Sequence, residues 1–152
     1  MNTEHNKAIA ELHGYVSIIA RNVATGETQV VAHSNLIVNG LYPNLAALLA
    51  GTITNRAIGS IRLGTGTTAL DVTNAAVTAV KTITDLTITF PTLYQVKAVG
   101  VWASAESDAN DIVEVGIFNA GSTLMARYVF AAMRKSVGWE WTINWTLTYT
   151  VV

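Results

Sequence analysis

From Trp139 onward the chain alternates almost without a break: Trp139, Trp141, Ile143, Trp145, Leu147, Tyr149 and Val151 fall on one side, Glu140, Thr142, Asn144, Thr146, Thr148 and Thr150 on the other. Side chains of a β-strand point alternately to its two faces, so this segment has one aromatic and aliphatic face and one face of short polar groups. A helix, with its period of about 3.6, would scatter both sets around its axis. At about 3.3 Å per residue the strand spans roughly 45 Å, about twice the usual length. Such a strand needs a large sheet around it, or an edge shared with another chain. Its apolar face, Trp139, Trp141, Ile143, Trp145, Leu147 and Tyr149, is the first candidate for the core.

Composition sets what kind of protein surrounds that strand. The chain has 152 residues, enough for one domain, and no cysteine, which removes disulfides, thiolate metal sites and cysteine nucleophiles together. A net charge of -1 offers no field to hold nucleic acid or an anionic membrane. Charged residues make up 12% against about 25% in ordinary soluble domains, while 51% of residues are apolar. Depleted charge is a mark of interface cores, so much of the surface is expected to lie against copies of the chain or another protein. Residues 1–14 carry Glu4, His5, Lys7, Glu11 and His13 without an apolar run, so no signal peptide is expected. The most apolar stretch, residues 36–53, is interrupted by Asn39, Gly40, Pro43, Asn44 and Gly51, unlike a membrane-spanning helix.

Along the chain, residues 1–13 read as a polar arm that orders against a partner, and residues 14–152 as a single β domain. Residues 14–21 and 28–33 form a hairpin about the polar turn Asn22-Val-Ala-Thr-Gly-Glu27, and residues 35–39 a short further strand. Proline at the start and glycine past the end predict one helix over residues 43–50. Residues 57–63 return to strand, and residues 70–80, lacking a clean period, read as a loop that hugs the surface. Strands then follow at 82–90, 94–103, 112–119 and 123–131, separated by turn chemistry at Pro91, at 104–111 and at Gly121-Ser122. The fold class is therefore all-β, a β-sandwich of jelly-roll type with one short helix.

Candidate chemistry is sparse. Gly64-Thr-Gly-Thr-Thr-Ala69 matches a dinucleotide fingerprint in letters, with Asp85 near the spacing of the ribose-binding acid. That chemistry needs a helix starting in the loop, because its free N–H groups hold the pyrophosphate, and residues 70–80 offer none. His5, His13 and His33 lack metal-ligand spacing, and Glu106-Ser-Asp-Ala-Asn-Asp111 lacks the glycine and closing glutamate of a calcium loop. Acids are too few to favour a glycosidase pair. Trp102, Trp139, Trp141 and Trp145 are the set a sugar platform would use, but three of them share one apolar strand face, where core packing is the ordinary outcome. Asn144-Trp-Thr146 has the form of a glycosylation sequon but lies within a strand. No catalytic, cofactor or metal residue is assigned.

The order Asn35-Leu-Ile-Val-Asn-Gly40, Ile61-Arg-Leu-Gly-Thr-Gly-Thr-Thr-Ala69, Val113-Glu-Val-Gly-Ile-Phe-Asn-Ala120, Leu124-Met-Ala-Arg-Tyr-Val-Phe130 and Trp141-Thr-Ile-Asn-Trp-Thr-Leu-Thr-Tyr149 resembles the small virion structural proteins of tailed bacteriophages. The likeness spans roughly residues 35–152. It implies a β-rich protein without catalysis or cofactor, made in the host cytoplasm and working as a homo-oligomer on the capsid surface or in the tail. The expected role is capsid decoration, or cement: a homotrimer that binds the major capsid protein over subunit junctions and clamps the shell through several weak contacts at high effective concentration. The arm residues Asn2, Thr3, Glu4, His5, Lys7, Glu11 and His13 are assigned to capsid contact. The alternative is a tail, baseplate or receptor-binding component presenting loops such as 104–111.

Overall fold

The computed structural model describes residues 10–52 and 54–151. Strand β1 (Ala10–Asn22) and strand β2 (Thr28–Ile37) are followed by helix α1 (Leu41–Leu49) and by β3 (Ile58–Gly64), β4 (Ala79–Ile83) and β5 (Leu86–Thr89). Then come β6 (Gln95–Trp102), β7 (Asp111–Asn119), β8 (Leu124–Arg134) and β9 (Trp139–Val151). The protein is all-β with one short helix. Its strands form one antiparallel sheet in the order β4-β3-β7-β8-β2-β1-β9-β6-β5, nearly closed on itself.

Two opposed layers arise because β2 changes partner along its length. Residues 28–35 pair with β1, whereas Leu36 and Ile37 pair with β8. The sheet folds over at that point, and β5-β6-β9-β1 comes to face β8-β7-β3-β4. The β1–β2 turn is built by Asn22, whose N–H donates to the Glu27 carbonyl (2.8 Å) and whose Oδ1 accepts from the N–H of Ala24 (3.0 Å) and Thr25 (3.1 Å).

Strand β9 lies inside the sheet, so its length is used between neighbours rather than at an edge shared with another chain. It pairs with β1 from Trp139↔Asn22 to Val151↔Ala10, and with β6 from Trp141↔Trp102 to Thr148↔Gln95. The predicted alternation becomes burial: Trp141, Ile143, Trp145 and Leu147 are buried beside Val16, Ile18 and Ala20 of β1 and Ala98 of β6. They share one core with Ile61 and Leu63 of β3, Ile112, Val115 and Ile117 of β7, and Phe130 of β8. Trp102 meets Trp141 edge-on, with ring centroids 5.6 Å apart. Trp139 is half-buried, and Tyr149 opens to the surface at the far end.

Three boundaries differ from the sequence reading. The stretch 82–90 is two strands, broken at Thr84 and Asp85, and these strands are the two opposite ends of the sheet order. A sheet that nearly closes needs a corner where the chain passes between its layers; Ile83 and Leu86, either side of the polar pair, both pack into the core. Residues 35–37 continue β2 instead of making a separate strand. Helix α1 begins two residues before Pro43, which therefore sits in the first turn, where a missing N–H leaves no helical bond unmade. Its end is a Schellman turn: Gly51 has φ +80°, the Gly51 N–H donates to the Leu48 carbonyl (3.0 Å) and the Thr52 N–H to the Ala47 carbonyl (2.8 Å).

The two faces of β9 should differ sharply in unfolding experiments. Trp145→Ala is expected to destabilise by about 3–5 kcal/mol, as large aromatic truncations in cores do, and Thr146→Ala by less than about 0.5 kcal/mol. Chemical denaturation read by far-ultraviolet circular dichroism measures both; equal small losses would contradict the assignment of faces.

Candidate functional site

The arm residues Asn2, Thr3, Glu4, His5 and Lys7 lie outside the described residues. Glu11 and His13 do not belong to an arm: they sit in β1 opposite Thr150 and Thr148 of β9, exposed, with His13 Nε2 3.3 Å from Glu11 Oε2. Leu12 between them carries the inward face of β1 one step further than Gly14 and packs against the core. Any arm is therefore confined to residues before Ala10.

The glycine-rich loop binds an anion, but the anion is the chain's own. No helix follows it; residues 65–78 instead cross the outer face of β7 and β8 to reach β4. The Gly66 and Thr78 N–H groups both donate to Glu114 Oε1 at 2.7 Å. A Cβ on Gly66 would come within 2.3 Å of that oxygen, so glycine is required by close approach to a carboxylate in place of a phosphate. Glu114 Oε2 in turn receives Arg127 Nε (2.8 Å) and Nη2 (2.7 Å), and Arg127 Nη1 donates to the Thr68 carbonyl and Asn74 Oδ1, each at 2.9 Å. Both side chains are buried. A buried ion pair is tolerable only when its remaining donors and acceptors are also met, and here the loop meets them.

The acidic loop is likewise committed to internal partners. Glu106 pairs with Lys81 (2.6 Å), Asp111 with Arg134 (2.7 Å), and Asp108 Oδ1 accepts from the Asn110 side chain (2.7 Å). Among the described residues no three His, Cys, Asp or Glu side chains converge to hold a metal ion. Lys135, buried behind this loop, donates to the carbonyls of Ala103 (2.8 Å) and Glu106 (2.7 Å); burial holds its ammonium below the ordinary lysine range. Lys81 and Lys135 both lie against the Trp102 ring, at 5.8 and 5.7 Å. Trp102, Trp141 and Trp145 are thus core groups and offer no sugar platform. His33 stacks on Tyr128 at 5.2 Å.

What the sequence reading missed is an apolar groove of about 430 Å³ at the end of the sheet where Tyr149 emerges. Leu41, Leu45 and Leu48 of α1 form one wall, Ile88, Phe90, Leu93 and Tyr94 around the β5–β6 connection the other, with Ile58, Val96 and Leu147 between them. The rim is unusually open for apolar groups: Leu93 is 96% exposed, Phe90 77% and Tyr94 57%, and Leu49 and Tyr42 elsewhere on α1 are exposed too. Arg56 lines the groove with its Nε buried and without a partner among the described residues. Its backbone is held by Asn44, whose Nδ2 donates to the Arg56 carbonyl (2.7 Å) while its Oδ1 accepts from Asn119 (2.8 Å). Burial raises the pKa of the Tyr149 hydroxyl at the same mouth. Among the described residues no helix is long and apolar enough to cross a membrane.

No family model, no curated protein and no solved structure matches this chain.

Glu114→Gln removes the charge that Arg127 and two loop amides face, and is expected to cost about 3–5 kcal/mol in denaturant unfolding, the loss typical of breaking a buried pair; a cost under about 1 kcal/mol would show that the loop is held otherwise. The hydrogen bond from Lys81 holds the Glu106 carboxyl below its usual range. The stability this contributes is present above the ordinary carboxylate pKa and is lost as pH falls through the lowered one. Lys81→Ala should move the Glu106 titration, followed by carboxyl NMR, upward toward the ordinary carboxylate range; an unmoved titration would contradict the pairing.

Proposed function

We propose that this chain is a virion structural protein of capsid decoration type, a homotrimer that binds major capsid protein on the outer shell and strengthens it. The observation that carries the assembly part of this reading is the apolar rim. Taking roughly 150–250 Å² for a large side chain, the exposed fractions of Ile88, Phe90, Leu93, Tyr94 and Tyr149 amount to on the order of 500 Å², to which Tyr42 and Leu49 elsewhere on α1 add exposed apolar surface. That is at the upper end of the largest apolar patch on soluble monomers, which is often functional, and a large share of the roughly 800 Å² a standard interface takes from each partner. The scarcity of charge across the chain points the same way. The virion setting rests on the sequence resemblance over residues 35–152.

In this reading the rim joins copies of the chain, and the arm before Ala10 contacts the shell. Each trimer then reaches several capsid sites at once, so weak contacts add through effective concentration. The loop of residues 104–111, pinned by Lys81, Arg134 and Lys135, favours the second reading, a tail or receptor-binding component, because a stiff loop suits presentation to a host surface.

Cosedimentation with expanded empty capsids tests the proposal. Binding in numbers comparable to the major capsid protein is expected, weakened by deletion of residues 1–9 with the oligomer intact. Deleting 1–13 would also remove paired residues of β1 and is not a clean test. Failure of the intact protein to bind any capsid would overturn the decoration role, and a few copies located in the tail would establish the second reading.

A further inference from the structure

We propose that the groove at the open end of the sheet is a binding site for an aliphatic carboxylate, with the acyl chain along its apolar floor and the carboxylate on Arg56. The groove shares Ile88, Phe90, Leu93, Tyr94 and Tyr149 with the rim that joins copies, while its floor and Arg56 lie within that rim. The groove's volume of about 430 Å³ falls in the range of small-molecule sites, roughly 300–1,000 Å³. Its floor of Leu45, Ile58, Val96 and Leu147 offers nothing to a polar ligand. An apolar chain would gain by leaving water there.

Charge selects the head group. Among the described residues no Asp or Glu lines the groove, and Arg56 brings its formal charge. The ion pairs among the described residues use Lys81, Arg127, Arg134 and His13, and leave Arg56 aside. Its Nε–H is shielded from water and has no acceptor among the described residues, so an anion in the groove would be met at the outer Nη1/Nη2 edge of the guanidinium. The planar fork of a guanidinium fits the two oxygens of a carboxylate. The Asn44 hydrogen bond to the Arg56 carbonyl fixes the backbone from which that fork projects. Tyr149 stays a neutral hydroxyl donor at the mouth.

The test uses the purified full chain and carboxyl-labelled decanoate, kept below its micelle concentration, with decanol as the uncharged control. Calorimetry should show saturable binding of decanoate, and NMR should show its carboxyl pKa lowered on the protein. Arg56→Gln should weaken decanoate about tenfold, in the range of a charge-assisted hydrogen bond, and leave decanol binding unchanged. Ala57→Trp, which fills the groove without altering Arg56, should abolish both, with circular dichroism showing the β-sheet retained in each variant. Absence of saturable binding, equal affinity of decanoate for the parent and Arg56→Gln, or undiminished binding to Ala57→Trp would each overturn the site.

Discussion

The pairing of β1 with β9 is the constraint on which the rest of the molecule depends. It runs the full length of both strands, thirteen residues each, and puts Val16 and Ile18 beside Trp145 and Ile143 on one face. With β6 on its other side, β9 becomes the central element of its layer. The buried Trp102, Trp141 and Trp145 make that layer too thick and too apolar to face water, so the second layer must cover it. Strand β2 supplies the route by leaving β1 for β8, and β3, β7 and β8 bring Ile61, Ile117 and Phe130 over the tryptophans.

The polar chemistry of the fold follows from the second layer being covered on both sides. Residues 65–78 lie across the outer face of β7 and β8, and the Glu114–Arg127 pair beneath them is the cost and the means of that cover. The groove has a related origin. Strands β4 and β5 pair on one side only and stand at opposite ends of the sheet order, joined by a two-residue corner. Away from that corner the sheet does not close, and α1 spans the opening with leucines instead of a strand. An open end lined by aliphatic side chains, with the Arg56 Nε unpartnered among the described residues, is what remains.

Most of the architecture was legible in the sequence because it is local. Period-two segments such as 139–151 report their own faces, and Asn22 to Glu27 or Pro43 to Gly51 carry their turn and helix-end chemistry within a few residues. The break at Thr84-Asp85 was not legible, since Thr82 through Phe90 is rich in β-branched residues and only closure of the sheet demands the corner. The ion pair left a signal that went unused: Glu114 and Arg127 each sit inside an apolar run, where a charge must have a partner. The groove left almost none, because its walls come from residues 41–58, 88–96 and 147–149, which only the fold brings together. Phe90 and Tyr94 read as the ends of the strands that flank Pro91, and their exposure is a three-dimensional property.

The central claim is that the apolar rim around the groove is covered by protein. Sedimentation equilibrium at micromolar concentration, comparing the parent chain with a Phe90→Asp, Leu93→Asp variant, tests it most directly. Both positions are exposed and lie outside the buried core, so the substitutions should leave the fold intact. The predicted result is an oligomeric parent and a folded monomeric variant; a parent that sediments as a single 16.2 kDa species would contradict the claim.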